Sequence, residues 1–323
     1  MGGKYMNHQS QAVFSRNSRP VVVMNFTGVY NYESFARNCQ FVWLDCQHLN
    51  GTECYCDEEG ASALQRMIAD YSPQGIHFID SGNYHYVTKF WTDKLATPFA
   101  LLVFDHHPDM QPPLFEHILS CGSWVKDVLD TNANCKKVII AGASDRLLQE
   151  VPKEYGDRIH FYSESSLDQE AGWKAFASEH VSEPVYISID KDVLDPSSAI
   201  TNWDQGSLTL SELEQLLAVV FRQERVIGID ICGECSSTLN LFEEMRETEI
   251  DNRANGEFYA FSVRSRRDSL CQELHAIKKS ETCFVSDFFM VKRIIISLIQ
   301  LPIRMDQLRR RTGYHATCDI VSR

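Results

Sequence analysis

The residues with the clearest chemical potential are Asp and His side chains that follow a short apolar run. Asp105, His107 and Asp109 stand two residues apart, directly after six consecutive apolar residues. In an extended segment, side chains i, i+2 and i+4 point the same way, so one imidazole and two carboxylates would meet at one place. This combination suits a divalent ion such as Mn, Fe(II) or Zn. The alternative is a surface loop whose charges lie in water.

Two further apolar runs end in residues of the same kinds. Residues 185–189 lead into Asp190 and Asp192, and residues 75–79 are followed a few positions later by His85. Ligands in α/β proteins bind beyond the carboxyl ends of the strands of the sheet. Three strand ends that each deliver metal-binding side chains therefore favour a metal site over a solvated loop.

These stretches resemble the arginase/agmatinase (ureohydrolase) family, as a divergent arginase-like member. The motifs of that family are a glycine-rich turn ending in His, Asp-x-His-x-Asp, and Ser-x-Asp-x-Asp-x-x-Asp-Pro. Here they read GNYH at 82–85, DHHPD at 105–109 and SIDKDVLDP at 188–196, within a resemblance that spans roughly residues 20–260. The resemblance implies a two-metal centre, typically two Mn²⁺ per chain, held by His85, Asp105, His107, Asp109, Asp190 and Asp192.

The resemblance also implies how the metal centre works. Asp105 and Asp190 are expected to bridge both ions. The other four ligands complete the two shells, His85 and Asp109 at one ion and His107 and Asp192 at the other. Two divalent ions lower the pKa of a bridging water. The resulting hydroxide would attack a guanidino or amidino carbon and release urea or a related product, and Asp109 would help to orient it.

Two residues outside the ligand set are candidates for substrate contact and proton transfer. In the family, a Glu soon after a late strand accepts the substrate guanidinium. Glu234 follows the run at 225–230 and stands one residue farther from Asp230 than the family pattern expects. His117 is a candidate general acid because an imidazole titrates near neutral pH. A surface position is the alternative interpretation of each of these two residues.

Departures from the arginase pattern limit the choice of substrate. The segment after Asp109 lacks the Asn and Ser residues that hold the amino-acid head group in arginases, and Cys121 or Gly122 stands where a proton-shuttling His is expected. The substrate class predicted is a small cationic guanidino or amidino compound, similar to arginine or agmatine. Two alternatives stay open: an inactive arginase-like metal-binding protein, or a metal-dependent deacetylase or amidohydrolase on a similar scaffold.

Composition sets broad limits on function. The 323 residues are 44% hydrophobic and 23% charged, which is typical of a globular protein, and the net charge is −13. This charge argues against nonspecific nucleic-acid binding and favours cationic substrates.

The N-terminal residues 1–19 lack the apolar core of a signal peptide, so a cytoplasmic location is expected. The 11 cysteines are then expected to be mostly reduced. A zinc site from Cys54, Cys56, Cys232 and Cys235, or a redox pair of the last two, is the weaker interpretation.

The apolar periodicity predicts about eight strands alternating with helices, and therefore a three-layer α/β/α fold around a mainly parallel sheet. No G-x-G-x-x-G motif follows the first strand, which argues against a dinucleotide-binding fold. Helices are predicted at 57–71, 118–129 and about 173–177, after a capping box at 209–212, and in part of 241–261. Strands are predicted at 21–26, 41–44, 75–79, 99–104, 137–140, 158–162, 185–189 and 225–230.

Residues 262–323 differ from the arginase-like hydrolase domain predicted for residues 1–261. They hold 12 Lys and Arg against 6 Asp and Glu, a net charge of +6, which leaves −19 on the remainder. The apolar run at 288–301 is interrupted by Lys292 and Arg293 and is too short to span a membrane. It predicts a helix packed on the domain, a poorly ordered extension, or an amphipathic segment at a membrane surface or subunit contact. Self-association into a homo-oligomer is expected only from the family resemblance.

Overall fold

The computed structural model of the chain describes residues 20–33, 35, 41–112, 118–235, 250 and 252–262. The strands are β1 (Val21–Asn25), β2 (Val42–Asp45), β3 (Tyr55–Cys56), β4 (Ile76–Phe78), β5 (Phe99–Phe104), β6 (Leu119–Ser120), β7 (Cys135–Ala141), β8 (Ile159–Tyr162), β9 (Val185–Asp190) and β10 (Val226–Cys232). The α-helices are α1 (Glu58–Ile68), α2 (Val87–Thr92), α3 (Trp124–Thr131), α4 (Asp145–Leu148), α5 (Glu164–Leu167), α6 (Glu170–Ala177) and α7 (Leu210–Gln223). Residues 252–262 are also helical.

Eight strands form one parallel sheet in the order β2-β1-β4-β10-β9-β5-β7-β8. Every residue of β5 and β9 is buried, because both faces of these central strands are covered. This explains why their sequences are continuous apolar runs rather than alternating patterns. The α/β fold with a mainly parallel sheet of eight strands, predicted from the sequence, is confirmed.

Successive residues along the strands belong to two separate hydrophobic cores, one on each face of the sheet. Val22 and Leu101 pack with Leu64 of α1 and Trp91 of α2 on one face of the sheet. The other face packs against Phe176 of α6, residues of α7 and Phe258 of the helix at 252–262. Side chains that point alternately to the two faces of a strand account for this division. The result is the expected three-layer arrangement.

The sequence prediction was wrong about one element. Residues 118–129 were predicted to form a helix, but Leu119–Ser120 is the short strand β6, and α3 begins only at Trp124. Strand β6 pairs with β3 in an antiparallel two-stranded ladder outside the main sheet. The local apolar spacing resembles a helix, and only a partner 63 to 65 positions away in the sequence makes it a strand.

The predicted capping box at the start of α7 is present. The hydroxyl of Thr209 accepts from the backbone N–H of Glu212, and the Glu212 carboxylate accepts from the backbone N–H of Thr209.

Within the described ranges, no helix has the length and apolar character needed to cross a membrane. Residues 263–323 and His117 lie outside the described residues, so the predictions about the C-terminal segment and the domain boundary stay predictions.

Candidate metal centre

Three of four neighbouring strands of the sheet deliver ligand side chains to one place. Strand β5 ends at Phe104 and is followed by the segment 105–109, and β9 ends at Asp190. His85 follows β4 by way of a 3₁₀ turn, Gly82–Tyr84. Because β4, β10, β9 and β5 are adjacent and parallel, their carboxyl ends meet at the same edge of the sheet. The six residues predicted as ligands therefore come together from three separate strand ends.

The first group of ligand atoms surrounds His85. Its Nδ1 lies 3.1 Å from Oδ2 of Asp105, 3.2 Å from Oδ2 of Asp109 and 3.5 Å from Oδ2 of Asp190. His85, Asp105 and Asp109 are all buried. One imidazole nitrogen and several carboxylate oxygens at this separation are a suitable donor set for one divalent cation.

The second group is formed by Asp105, His107 and Asp192. Nδ1 of His107 lies 2.9 Å from Oδ2 of Asp192 and 3.5 Å from Oδ1 of Asp105. The other ring nitrogen of His107, Nε2, lies 3.1 Å from Oδ1 of Asp204 on the exposed side. Asp105 belongs to both groups, with Oδ2 toward His85 and Oδ1 toward His107. This is the arrangement that a carboxylate bridging two cations requires.

Cys232, at the end of β10, stands beside the first group. Its Sγ lies 3.2 Å from Oδ2 of Asp190, and together with His85 these residues offer a third set of closely spaced ligand atoms. The structure does not support the alternative of a four-cysteine zinc site, because no four-thiolate group occurs among the described residues. The cysteines considered for that site were Cys54, Cys56, Cys232 and Cys235.

The buried Nδ1 of His85 tests whether the site fits a cation. Although three carboxylate oxygens lie within 3.5 Å of it, Nδ1 completes a hydrogen bond with none of them in the described part of the chain. Buried polar atoms are seldom left without a partner, and each exception asks for an explanation such as an ion. A cation between Nδ1 and the carboxylates satisfies all of these atoms, so the residues fit a metal.

The electrostatics of the site point the same way. Burial, together with repulsion from Asp192 and Asp105, raises the pKa of Asp190 to about 7. Burial also raises the pKa of Asp192 to about 6 and raises the pKa of Asp109. Burial lowers the pKa of His107, but hydrogen bonds to Asp105 and Asp192 outweigh that effect and raise it to about 12. The charged carboxylates therefore need positive charge beside them, which a divalent cation supplies.

Two further side chains hold the ligands of the first group in place. The hydroxyl of Ser188, on β9, lies 2.8 Å from Nε2 of His85, which leaves Nδ1 facing the carboxylates. Nε1–H of Trp124, the first residue of α3, donates to Oδ2 of Asp109 at 2.6 Å. Asp109 has a φ of 50°, and its left-handed conformation turns the segment after β5 so that its carboxylate meets His85.

The turn that carries His85 is fixed by Asp80, which has a φ of 64°. Its carboxylate accepts hydrogen bonds from the backbone N–H groups of Phe26 and Thr27, at 2.8 and 2.9 Å, and from the backbone N–H of Ser81 at 2.7 Å. The N–H of Asp80 donates to the hydroxyl of Tyr30 at 2.8 Å. These contacts join the ends of β1 and β4 and so set where the turn begins.

Glycine is required at two positions around Asp190. A Cβ added at Gly82 would lie 2.8 Å from Oδ2 of Asp190, closer than real Cβ atoms come to an oxygen. Gly233 has a φ of 95°, and a Cβ there would collide with Oδ1 of the same carboxylate. Both carboxylate oxygens of Asp190 therefore lie against glycine backbone, where any side chain would collide with them.

The ligand groups form the floor of a cavity of about 330 Å³, a size suited to a small molecule. Its wall includes the exposed Glu150, the aromatic side chains of Tyr55 and Trp203, and the thiol-bearing Cys54 and Cys121. The cavity therefore combines a negatively charged base with an acidic and aromatic rim.

The structure does not place Glu234, the predicted guanidinium acceptor, in the wall of this cavity. Its side chain is fully buried; Oε2 is paired with the ammonium of Lys191, and Oε1 accepts a hydrogen bond from Nδ2 of Asn255 at 2.7 Å. The extra residue before Glu234 lies in the left-handed turn at Gly233, and this turn carries the side chain toward Lys191 instead.

Sequence reasoning missed several side chains that contact the ligands. Ser188 belongs to the third motif, but nothing in its spacing showed that it would meet His85. Trp124 and Asp204 lie outside all three motifs. His106 stands between two ligands, where an extended segment directs its side chain away from theirs, and it is absent from the ligand groups among the described residues.

Comparison with known proteins agrees with the fold and with the motifs. The arginase family matches residues 75–241 of the chain. An uncharacterised protein of Thermotoga maritima is 29% identical over 233 residues, which covers 71% of this chain and 85% of that protein.

Solved structures share the fold at low sequence identity. The agmatine ureohydrolase of Thermoplasma volcanium superposes with a TM-score of 0.55 at 15% identity, covering 81% of this chain and 95% of that one. The formimidoylglutamase of Bacillus subtilis superposes with a TM-score of 0.53 at 14% identity, covering 76% and 87%. With the family match over residues 75–241, the conclusion follows that this chain belongs to the arginase family.

Proposed function

We propose that the protein is a dimetal hydrolase that cleaves a carbon–nitrogen bond of a small cationic guanidino or amidino compound. The observation that carries this proposal is the pair of ligand groups that share Asp105, with the unsatisfied Nδ1 of His85 at the centre of one of them. Arginase-family hydrolases act on such bonds, and the chain keeps the carboxylates and imidazoles that this chemistry needs.

The proposed ligands are the six residues of the three motifs, and the proposed metal is Mn²⁺. Carboxylate and imidazole donors are compatible with Mn²⁺ as well as with Fe(II) or Zn²⁺. Two divalent cations, when bound, would supply Lewis acidity and a water of lowered pKa. The ligands are His85, Asp105, His107, Asp109, Asp190 and Asp192.

Asp109 is proposed to orient the nucleophilic water and to hold its proton. Its Oδ2 faces Nδ1 of His85 and accepts from Trp124, so the position of this carboxylate is fixed from two sides. Because burial raises the pKa of Asp109, its carboxylate is a better proton acceptor than an ordinary aspartate. His117, the other candidate for proton transfer, lies outside the described residues.

The rim of the cavity supports a cationic substrate. Glu150 is acidic, and Trp203 and Tyr55 present aromatic rings, which attract cations through their faces. We assign to Glu150 the contact with the positive group of the substrate that Glu234 was predicted to make. Glu234 is not part of this proposal because its carboxylate is occupied by Lys191 and Asn255.

One observation favours a second candidate function, an inactive relative that binds metal. The buried pairing of Glu234 removes from the cavity the acidic residue that the family pattern leads one to expect. Full metal loading without turnover of any guanidino or amidino compound would identify the protein as this second kind.

The test is a substrate screen with purified, Mn-loaded protein. Arginine, agmatine, guanidinobutyrate, formiminoglutamate and free guanidine are supplied separately, and urea and ammonia are measured. We expect product from one of these compounds, because the cavity accepts small cations but lacks the head-group contacts of arginases. Asp190→Ala should abolish both metal binding and turnover, whereas Asp157→Ala, at an exposed site elsewhere, should change neither.

Two results would contradict the proposal. Turnover that survives Asp190→Ala would show that the ligand groups are not the reaction centre. Release of acetate from an acetylated amine, with no urea or ammonia from the panel, would instead indicate a deacetylase on the same scaffold.

A further inference from the structure

Cys54 and Cys121 are neighbours just beyond the ladder of β3 and β6, where Cys54 leaves the extended conformation with a φ of 56°. Tyr55 pairs with Ser120 and Cys56 with Leu119, so one further step in this register sets Cys54 against Cys121. The backbone N–H of Cys121 donates to the carbonyl of Cys54 at 2.9 Å, which joins the two segments at this pair. A disulfide forms without backbone movement when the two Cα atoms lie about 4.4–6.8 Å apart, and residues joined by a backbone hydrogen bond are close enough to meet this condition.

The two thiols are close enough to share a hydrogen bond, and they are not equivalent. The hydrogen bond from the Cys121 thiol lowers the pKa of Cys54, and the same hydrogen bond, together with burial, raises the pKa of Cys121. The sulfur with the lower pKa carries more thiolate and is the better nucleophile. Cys54 is thus suited to react first, with Cys121 beside it as a protonated thiol.

Both thiols are accessible from the cavity. Cys54 and Cys121 are partly exposed and contribute to its wall. Four of the other cysteines in the described ranges are buried, namely Cys46, Cys56, Cys135 and Cys232. Cys56, two residues from Cys54 on the same strand, has a pKa raised to about 11 by burial. A small oxidant that enters the cavity therefore meets the Cys54–Cys121 pair in preference to these four.

We propose that Cys54 and Cys121 are a peroxide-oxidised thiol pair that forms a reversible disulfide in the wall of the cavity. The thiolate of Cys54 attacks one oxygen of the peroxide, forms a sulfenic acid and releases hydroxide. The thiol of Cys121 then attacks the sulfenic sulfur, forms the disulfide and releases water. The two sulfurs together lose two electrons, which reduce one peroxide to two oxygens at the level of water.

The disulfide would act on the cavity because of where the ladder lies. Strand β6 is followed within four residues by Trp124, whose indole donates to the proposed ligand Asp109. Oxidation would join β3 and β6 covalently and remove the two thiols from the cavity wall. Disulfide formation is measured directly, whatever the substrate and whether or not the protein turns it over.

The experiment treats the full-length protein with a small excess of hydrogen peroxide, blocks the remaining thiols with N-ethylmaleimide and maps the peptides by mass spectrometry. We expect one linked pair of peptides containing Cys54 and Cys121, two hydrogens lighter than the reduced pair, and reversal by dithiothreitol. Cys56→Ser, which removes the neighbouring thiol, should leave this link intact.

Variants of the two residues separate their roles. In Cys121→Ser, Cys54 should accumulate as a sulfenic acid that dimedone traps, because no thiol is present to resolve it. In Cys54→Ser, Cys121 should stay reduced. The proposal is overturned if wild-type protein gives no Cys54–Cys121 link under peroxide, if the link joins two different chains, or if Cys121 reacts first.

Discussion

Each proposed ligand depends on the contact that orients it. The indole of Trp124 donates to Asp109 at 2.6 Å and so fixes the carboxylate that faces His85. Groups that orient a ligand in this way commonly contribute about 10- to 100-fold to metal affinity. A phenylalanine at position 124 would remove this hydrogen bond and keep most of the buried aromatic surface.

Trp124→Phe should therefore weaken Mn²⁺ binding by about 10-fold or more, because Asp109 loses its hydrogen bond. Isothermal titration calorimetry measures the change. The matched control is Trp91→Phe, since Trp91 is equally buried but its Nε1 has no hydrogen-bond partner among the described residues. Equal losses in the two variants would show that the indole acts through packing alone.

A second residue-scale prediction concerns the space beside Asp190. Gly82→Ala would place a methyl group 2.8 Å from Oδ2 of Asp190 and should displace this carboxylate, so that bound metal is lost. Metal content after dialysis, measured by plasma mass spectrometry, tests it. Gly122→Ala, also in the cavity wall, meets only the flexible end of Gln111 at 3.4 Å and should retain its metal. Full occupancy in Gly82→Ala would mean that Asp190 is not held as described.

At the scale of elements, the carboxyl ends of β9 and β10 are joined by a buried ion pair. Lys191, directly after β9, pairs with Glu234, just beyond β10, and both side chains are fully buried. Removal of one member of a buried pair leaves the other charge without compensation, which is costly. The pair therefore holds together two of the strand ends that form the candidate site.

Lys191→Met should lower the free energy of unfolding by about 3–5 kcal/mol, because Glu234 would stay buried without its partner. Urea denaturation measures this loss. The double variant Lys191→Met/Glu234→Gln should lose less, since no unpaired charge is left. Lys174→Met breaks an exposed ion pair with Glu170 and should change stability by no more than about 1 kcal/mol. If the double variant is no more stable than the single one, the pair is not the reason for the loss.

The elements also show how far the sequence predicts this molecule. The apolar runs of β5 and β9 and the motifs after them predicted the fold and brought all six proposed ligands to one edge of the sheet. The ladder of β3 and β6 was not predictable, because Leu119 and Ser120 form a strand only through a distant partner. The position of Glu234 was not predictable either, since it depends on the left-handed turn at Gly233. Contacts between distant segments decide both.

For the molecule as a whole, the candidate site concentrates negative charge in the interior. Burial and neighbouring carboxylates raise the pKa of Asp190 from 3.8 to about 7. The native state then keeps a proton on Asp190 at pH values where the unfolded chain has lost it. Stability falls with rising pH wherever the native state binds more protons than the unfolded state. In the metal-free protein, the free energy of unfolding should therefore fall as the pH rises from about 4 to about 7.

Metal-free wild-type protein should lose stability relative to Asp190→Asn across this pH range, because the amide does not titrate. Thermal denaturation of both proteins at several pH values gives the difference directly. Mn²⁺ should reverse the trend in wild-type protein, since the bound cation favours charged carboxylates. A difference that stays constant with pH would show that the pKa of Asp190 is not raised.

The number of Mn²⁺ ions bound per chain, measured by native mass spectrometry, tests the proposed metal centre directly. Wild-type protein should bind two ions, and so should Asp157→Asn, whose altered residue is exposed and lies elsewhere. Asp190→Asn and Asp105→Asn should bind fewer than two, because the family resemblance implies that each of these carboxylates binds both ions. Wild-type protein that binds no Mn²⁺, or variants that still bind two ions, would contradict the proposed metal centre.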